Sequence, residues 1–180
     1  MIYQAIASDY DGTLATDGLV DGSTIAGLER WKQAGRKLVL ITGRGLDDLI
    51  QVLPRQDLFD WLVAENGAVL YQPKTGQTKL LIDPPSQEFT SRLHDRILKA
   101  HESSSGGVSD DLTRLKNQHF PLYLGRVIVA TWEPYSTEAR EVIQEMGLDL
   151  QVILNKGAVM ILPTGIDKAF GLRAVARELE

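Results

Sequence analysis

Cysteine is missing from all 180 residues. Its absence excludes disulfides, zinc–thiolate sites and a cysteine nucleophile, and accords with a cytoplasmic home. No stretch approaches ~18 uninterrupted apolar residues, so no membrane span is expected. The amino-terminal residues also lack the basic region of a signal peptide. Basic runs are absent too: the formal charge is −5 and the Lys and Arg residues are scattered. This argues against nucleic acid or an anionic membrane as a partner. Neither a G-x-G-x-x-G turn nor a Walker lysine loop occurs, which disfavours a dinucleotide module or a P-loop. Internal repeats are lacking. The only low-complexity patch is Ser103-Ser104-Ser105-Gly106-Gly107, whose composition predicts a mobile loop.

What remains is an ordinary globular composition, 43% hydrophobic and 24% charged, at a length able to bury a full core in one domain or two small ones. The first distinctive stretch is Ser8-Asp9-Tyr10-Asp11-Gly12-Thr13-Leu14. It follows the short apolar run Ile2–Ala7, predicted to be a buried strand. Alternation along a strand lets Asp9 and Asp11 point the same way from its carboxyl end. Gly12 allows a sharp turn that brings backbone N–H groups close to whatever binds there. Two carboxylates this close repel unless a cation or a shared proton intervenes. The spacing therefore suggests a magnesium site or an acid/base pair, against the plainer alternative of a turn after a strand.

The chain then alternates. Ser23 is expected to cap a helix to about Ala34 with Ile25, Leu28 and Trp31 on one face. Lys37–Ile41 reads as a second buried strand ending in Thr42-Gly43-Arg44. A short helix over Leu46–Leu53 stops before Pro54, and Trp61–Ala64 is a third strand ending in Glu65-Asn66-Gly67. This order implies right-handed crossovers and a parallel sheet, with the Asp pair, Thr42 and Asn66 on one rim. Next, 68–71 and 78–82 form a predicted antiparallel hairpin. The middle block is α plus antiparallel β: a helix carrying Phe89, Leu93, Ile97 and Ala100, a strand over Arg126–Trp132, a helix over Ser136–Met146, and strands 150–154 and 158–162 around Asn155-Lys156-Gly157. A last helix spans about Asp167–Leu179, and its start brings Lys168 in at the edge of an element.

Four signals stand in order: Asp9-x-Asp11-Gly12-Thr13, Thr42-Gly43-Arg44, Glu65-Asn66-Gly67-Ala68, and Pro163-Thr164-Gly165-Ile166-Asp167-Lys168. Together they resemble the haloacid dehalogenase-like (HAD) phosphatase superfamily, in particular its Cof-type members with an α/β cap inserted after the third strand. The resemblance implies an α/β fold with a Rossmann-like parallel-sheet core over 1–82 and 163–180, incomplete at its carboxyl end, and an α+β cap over 83–162. It also implies a Mg²⁺-dependent phosphomonoester hydrolase for a small phosphorylated metabolite, such as a sugar phosphate, working through an aspartyl-phosphate. In that pattern Asp9 is the nucleophile, Asp11 the general acid and base, and Asp9 with the Asp11 backbone carbonyl holds the metal. Thr42 and the Gly43 N–H bind the phosphoryl oxygens, Arg44 shapes that loop or touches the substrate, and Lys168 neutralises phosphate and nucleophile. The pattern breaks at its end. An acidic strand-end loop supplying further magnesium ligands does not follow Lys168, and an apolar sheet edge is left unpaired. The expectation is therefore that the native chain continues past Glu180, into those ligands and a further domain. A phosphomutase and a non-catalytic or regulatory HAD-like domain are the alternatives. A signalling receiver is rejected because the third strand ends in Glu65-Asn66-Gly67, not in a phosphoacceptor Asp.

The remaining polar residues receive plainer roles. Asn66 is expected to turn the chain, and Asp47 and Asp48 to favour a helix dipole. His94 and His101 are too far apart on one helix for a shared metal and are expected to face solvent, while His119 receives no role. Trp132, Asn155 and Lys156 are cap residues within possible reach of a substrate.

Overall fold

The computed structural model describes residues 3–104 and 122–179, with backbone alone at 103 and 104. His119 and most of the Ser/Gly patch lie outside the described residues. Five α-helices are described: α1 (Gly22–Gln33), α2 (Leu46–Val52), α3 (Gln87–Ser104), α4 (Ser136–Glu145) and α5 (Lys168–Glu178). Contacts divide the chain into two compact units, Met1–Asp83 with Gly165–Glu180, and Pro84–Thr164.

In the first unit β1 (Ala5–Asp9), β2 (Lys37–Ile41) and β3 (Trp61–Ala64) run parallel. Parallel neighbours need crossover connections, which α1 and α2 supply. An antiparallel hairpin, β4 (Val69–Gln72) and β5 (Gln77–Leu80), then completes the sheet in the order β1-β2-β3-β4-β5. The apolar runs of β2 and β3 are buried on both faces. Val39, Ile41, Trp61, Val63 and Leu70 cluster with Val175 of α5, while Leu38, Leu40 and Leu62 alternate to the other face and are equally buried.

β1 departs from expectation. Ala5, Ile6 and Ala7 are exposed, and only Ser8 and Asp9 are half-buried. The reason is position: among the described residues β1 is hydrogen-bonded on one side alone, to β2. The cap of α1 also differs, since Asp21 and not Ser23 accepts the Thr24 N–H, at 2.8 Å. Hydrogen bonds from the Ser23 hydroxyl and then from Thr24 lower the Asp21 carboxyl to about 2. A carboxylate accepts helix N–H groups better than a hydroxyl that is itself donating.

The second unit is a four-stranded antiparallel sheet in the order β6-β7-β9-β8, made of β6 (Tyr123–Leu124), β7 (Val129–Trp132), β8 (Leu150–Asn155) and β9 (Ala158–Pro163). Phe89, Leu93 and Ile97 of α3 join Ala139 and Val142 of α4 on Val129, Val159 and Ile161. The predicted strand over Arg126–Trp132 is shorter than expected. Gly125 N donates to Ile128 O at 2.8 Å, so Arg126 sits in a turn joining β6 to β7. His101 does not simply face solvent: its Nδ1 lies 2.8 Å from the Tyr135 hydroxyl. His94 stays exposed beside Asp95.

At the amino ends of β2 and β3, Asp60 ties three elements together. Its carboxylate accepts from Leu38 N at 2.8 Å, Lys32 Nζ at 2.7 Å and Lys37 Nζ at 3.3 Å. Burial alone would raise this carboxyl, but the Lys32 and Leu38 hydrogen bonds and the two ammonium charges outweigh it and hold it below its ordinary value. A group lowered by folding contributes stability above its unfolded value and loses that contribution as pH falls through its folded one. Asp60→Ala should therefore cost about 1–3 kcal/mol in urea unfolding at neutral pH, because it orphans a buried N–H. The gap to wild type should narrow below about pH 4, where the unfolded carboxyl titrates. An undiminished gap at acid pH would refute this account of Asp60.

Candidate active site

The first unit gathers its charged groups at the carboxyl ends of the parallel strands. Asp9 is the last residue of β1, in register with Ile41 at the end of β2. Its Oδ1 accepts from Tyr10 N at 2.8 Å and its Oδ2 from Lys168 Nζ at 2.7 Å. These two residues are 159 positions apart in sequence, and each side chain is 39% exposed. The contact is thus partly open to solvent.

Lys168 is the first residue of α5, an unfavourable place for a cation because the helix dipole is positive there. The Asp9 carboxylate offsets that penalty. Asp167 caps the helix, accepting from Phe170 N at 2.6 Å, so the lysine is left to point outward. Close backbone packing sets the position of this helix start. A Cβ on Gly67 would lie 2.0 Å from Asp167 O, and one on Gly171 would lie 2.4 Å from a Val63 methyl and 2.7 Å from Gly67 Cα. Gly67 also sits at φ +105°, after Glu65 and Asn66 at φ 53° and 55°. The loop after β3 is therefore a left-handed run with no Cβ where α5 crosses it.

Asp11 is not placed by strand alternation, because β1 ends at Asp9 and Asp11 lies in the turn where Gly12 adopts φ +78°. Its carboxylate meets a different cation. Arg44 Nε donates to Oδ2 and Nη2 to Oδ1, both at 2.8 Å. The third arm, Nη1, donates to Asp48 Oδ2 at 2.8 Å. The Asp11 hydrogen bonds, with those of Asp48, raise the Arg44 guanidinium above its ordinary value against the cost of burial. Beneath it the Tyr10 ring lies 5.3 Å from the guanidinium carbon. Tyr10 is fully buried, and its hydroxyl lies within hydrogen-bond distance of Gly18 O and Val52 O, at 3.1 and 3.2 Å. Burial raises that hydroxyl while the Arg44 charge lowers it, and burial prevails.

Thr42 follows β2 and is buried. Its backbone bridges to β3, through Thr42 N to Val63 O at 2.9 Å and Asn66 N to Thr42 O at 3.0 Å. Its hydroxyl oxygen accepts from Arg44 N at 3.2 Å, which leaves its own proton to be donated. Gly43 lies between these anchors, and Asn66 is buried in the turn. Asp47 and Asp48 do open α2, but Asp48 also holds Arg44. Sequence reasoning gave Tyr10 and Gly171 no role, and Asp48 only that of a carboxylate favouring the dipole of α2. Gly171 had a usable signal, since a glycine inside an otherwise regular helical pattern marks close packing.

Among the described residues no group of three or more His, Cys, Asp or Glu side chains gathers as a metal cage. A cavity of about 390 Å³ lined by Lys32, Lys37, Asp60, Trp61 and Lys74 contains none of these site residues.

The description of the haloacid dehalogenase-like hydrolases matches residues 6–105, more than half of the sequence. The chain belongs to that family. No curated protein matches it. Among solved structures it is similar to a haloacid dehalogenase-like hydrolase from Bacteroides thetaiotaomicron, with TM-score 0.71 and 17% identity over 99% of this chain and 77% of that one. A HAD subclass IIB sugar phosphatase, BT4131, gives TM-score 0.61 and 16% identity over 98% and 76%. A HAD phosphatase from Bacteroides thetaiotaomicron, BT1666, gives 0.65 and 18% over 99% and 73%. At these identities the likeness concerns the fold: this is the HAD α/β architecture, with β1 to β3 as its parallel strands.

The glycine contact between the β3 loop and α5 is directly testable. Gly67→Ala, strained by its φ and pressed on a carbonyl, should lower stability by about 1–3 kcal/mol or more in thermal unfolding. A melting temperature equal to wild type would show that α5 does not sit where its backbone contact requires.

Proposed function

We propose that this HAD protein is a Mg²⁺-dependent phosphomonoester hydrolase for a small phosphorylated metabolite of the sugar-phosphate kind. The observation that carries the proposal is the 2.7 Å contact between Asp9 and Lys168. A carboxylate poised for nucleophilic attack needs a neighbouring positive charge that also attracts a phosphate dianion, and a flexible ammonium serves both. The sugar-phosphatase name of a structural neighbour accords with the proposed substrate class.

Asp9 attacks phosphorus, forming a bond from its carboxylate oxygen while the bond to the leaving alcohol breaks. Tyr10 N–H and Lys168 hold the carboxylate for this attack. The Thr42 hydroxyl and the Gly43 N–H donate to the phosphoryl oxygens, where charge builds up in the transition state. Asp11 gives its proton to the departing alkoxide and later takes one from the water that releases phosphate.

The donors fit a small hard cation. Asp9 offers a partly exposed carboxylate, and magnesium keeps several waters and takes only one or two carboxylates. Asp9 and Asp11 would hold it, and when bound it supplies charge neutralisation for the transferring group.

Hydrolysis of 4-nitrophenyl phosphate with Mg²⁺ should be lost in Asp9→Asn, a fall of about a thousandfold or more. Asp47→Asn, exposed at the start of α2, should stay within about threefold of wild type, as a surface substitution away from the chemistry does. Comparable losses in the two variants would refute Asp9 as nucleophile.

A further inference from the structure

Arg44 lies beside the proposed phosphate loop, yet its side-chain donors point elsewhere. Nε and Nη2 both go to Asp11, and Nη1 goes to Asp48. The guanidinium is held from three sides: by Asp48 of α2, by the Asp11 fork, and by the buried Tyr10 ring below it. Among the described residues, Asp11 has no comparable support of its own. Its side chain is 44% exposed and stands in a turn, outside β1. A carboxylate so placed would sample many orientations unless a neighbour fixes its plane, and a planar two-armed donor fixes it better than a point charge.

We propose that Arg44 is a positioning residue for Asp11 in its proton transfers, and that Asp48 keeps Arg44 in place for that task. This deepens the phosphatase reading and rests on it. In the second half-reaction a water oxygen bonds to phosphorus and the bond from phosphorus to the Asp9 oxygen breaks. The bonding pair returns to Asp9 as carboxylate, and the water proton goes to an Asp11 carboxylate oxygen. A leaving group that departs without a proton spares the capture step, so with such a substrate loss of Arg44 falls on release of phosphate from Asp9.

Rapid-quench kinetics with 4-nitrophenyl phosphate and Mg²⁺ test this, because nitrophenolate departs without needing a proton. Arg44→Gln should still release the first equivalent of nitrophenol, while steady-state turnover falls about tenfold or more, within the range a positioned acid or base supplies. A burst should therefore appear, and acid-quenched protein should carry phosphate. Arg44→Lys should behave the same way, since an ammonium cannot reproduce the fork. Guanidinium ion added to Arg44→Ala should restore part of the steady-state rate. Asp48→Asn, which keeps Arg44 itself, should show a smaller burst in the same direction and provides the test if Arg44 variants fail to fold. Equal slowing of both phases without accumulated phosphoenzyme would overturn the assignment. A raised KM with unchanged kcat would also overturn it, marking Arg44 as a direct phosphate contact. Wild-type protein that neither releases nitrophenol nor takes up phosphate would instead overturn the phosphatase reading, and the role of Arg44 with it.

Discussion

Two carboxylates cannot be crowded onto one strand end unless their charge is answered, and the first unit is built around that constraint. Each aspartate of the Asp9-x-Asp11 pair has its own cation, brought from a different part of the chain. Lys168 arrives on α5 and meets Asp9, while Arg44 arrives from the loop after β2 and meets Asp11. Exposed ion pairs contribute little to stability as a rule. Under the proposed function these two are arrangements of charge for chemistry, held by packing elsewhere.

That packing is specific. Lys168 reaches Asp9 because two glycines, 67 and 171, let a helix start settle against the left-handed turn after β3. Arg44 keeps its orientation because Tyr10, a neighbour of both aspartates in sequence, turns inward and puts a buried ring beneath the guanidinium. The same tripeptide therefore supplies the two acids and the floor on which one of their partners rests. Backbone contacts between Thr42, Val63 and Asn66 lock the ends of β2 and β3 together, which fixes the loop of Thr42, Gly43 and Arg44 relative to both.

Much of this was legible in the residues. β2 and β3 announce themselves as short β-branched and apolar runs bounded by turn formers, and both lie where those runs fall. The hairpins around Thr75-Gly76 and Lys156-Gly157 follow from residues that favour positive φ. Burial was harder to read. Ile6 belongs to an apolar run as plain as that of β2, yet it is exposed, because burial depends on what lies on both sides of a strand. Capping misled for a local reason: Ser23 and Asp21 are both competent caps, but the Ser23 hydroxyl donates to the Asp21 carboxylate, which takes the helix N–H.

The sequence alone determined the kind of chemistry, through residue types at strand and helix ends whose spacing is local: an acid pair followed by a glycine, a hydroxyl beside a glycine, a lysine at a helix start. Which cation serves which acid was decided by tertiary structure. Arg44 and Lys168 are both basic residues near the ends of elements, and nothing in their immediate neighbours distinguishes them. Only the fold, by setting a turn under one and a glycine contact behind the other, assigns Lys168 to Asp9 and Arg44 to Asp11. Charge attracts without direction, whereas backbone packing has direction, and so the pairing belongs to the packing.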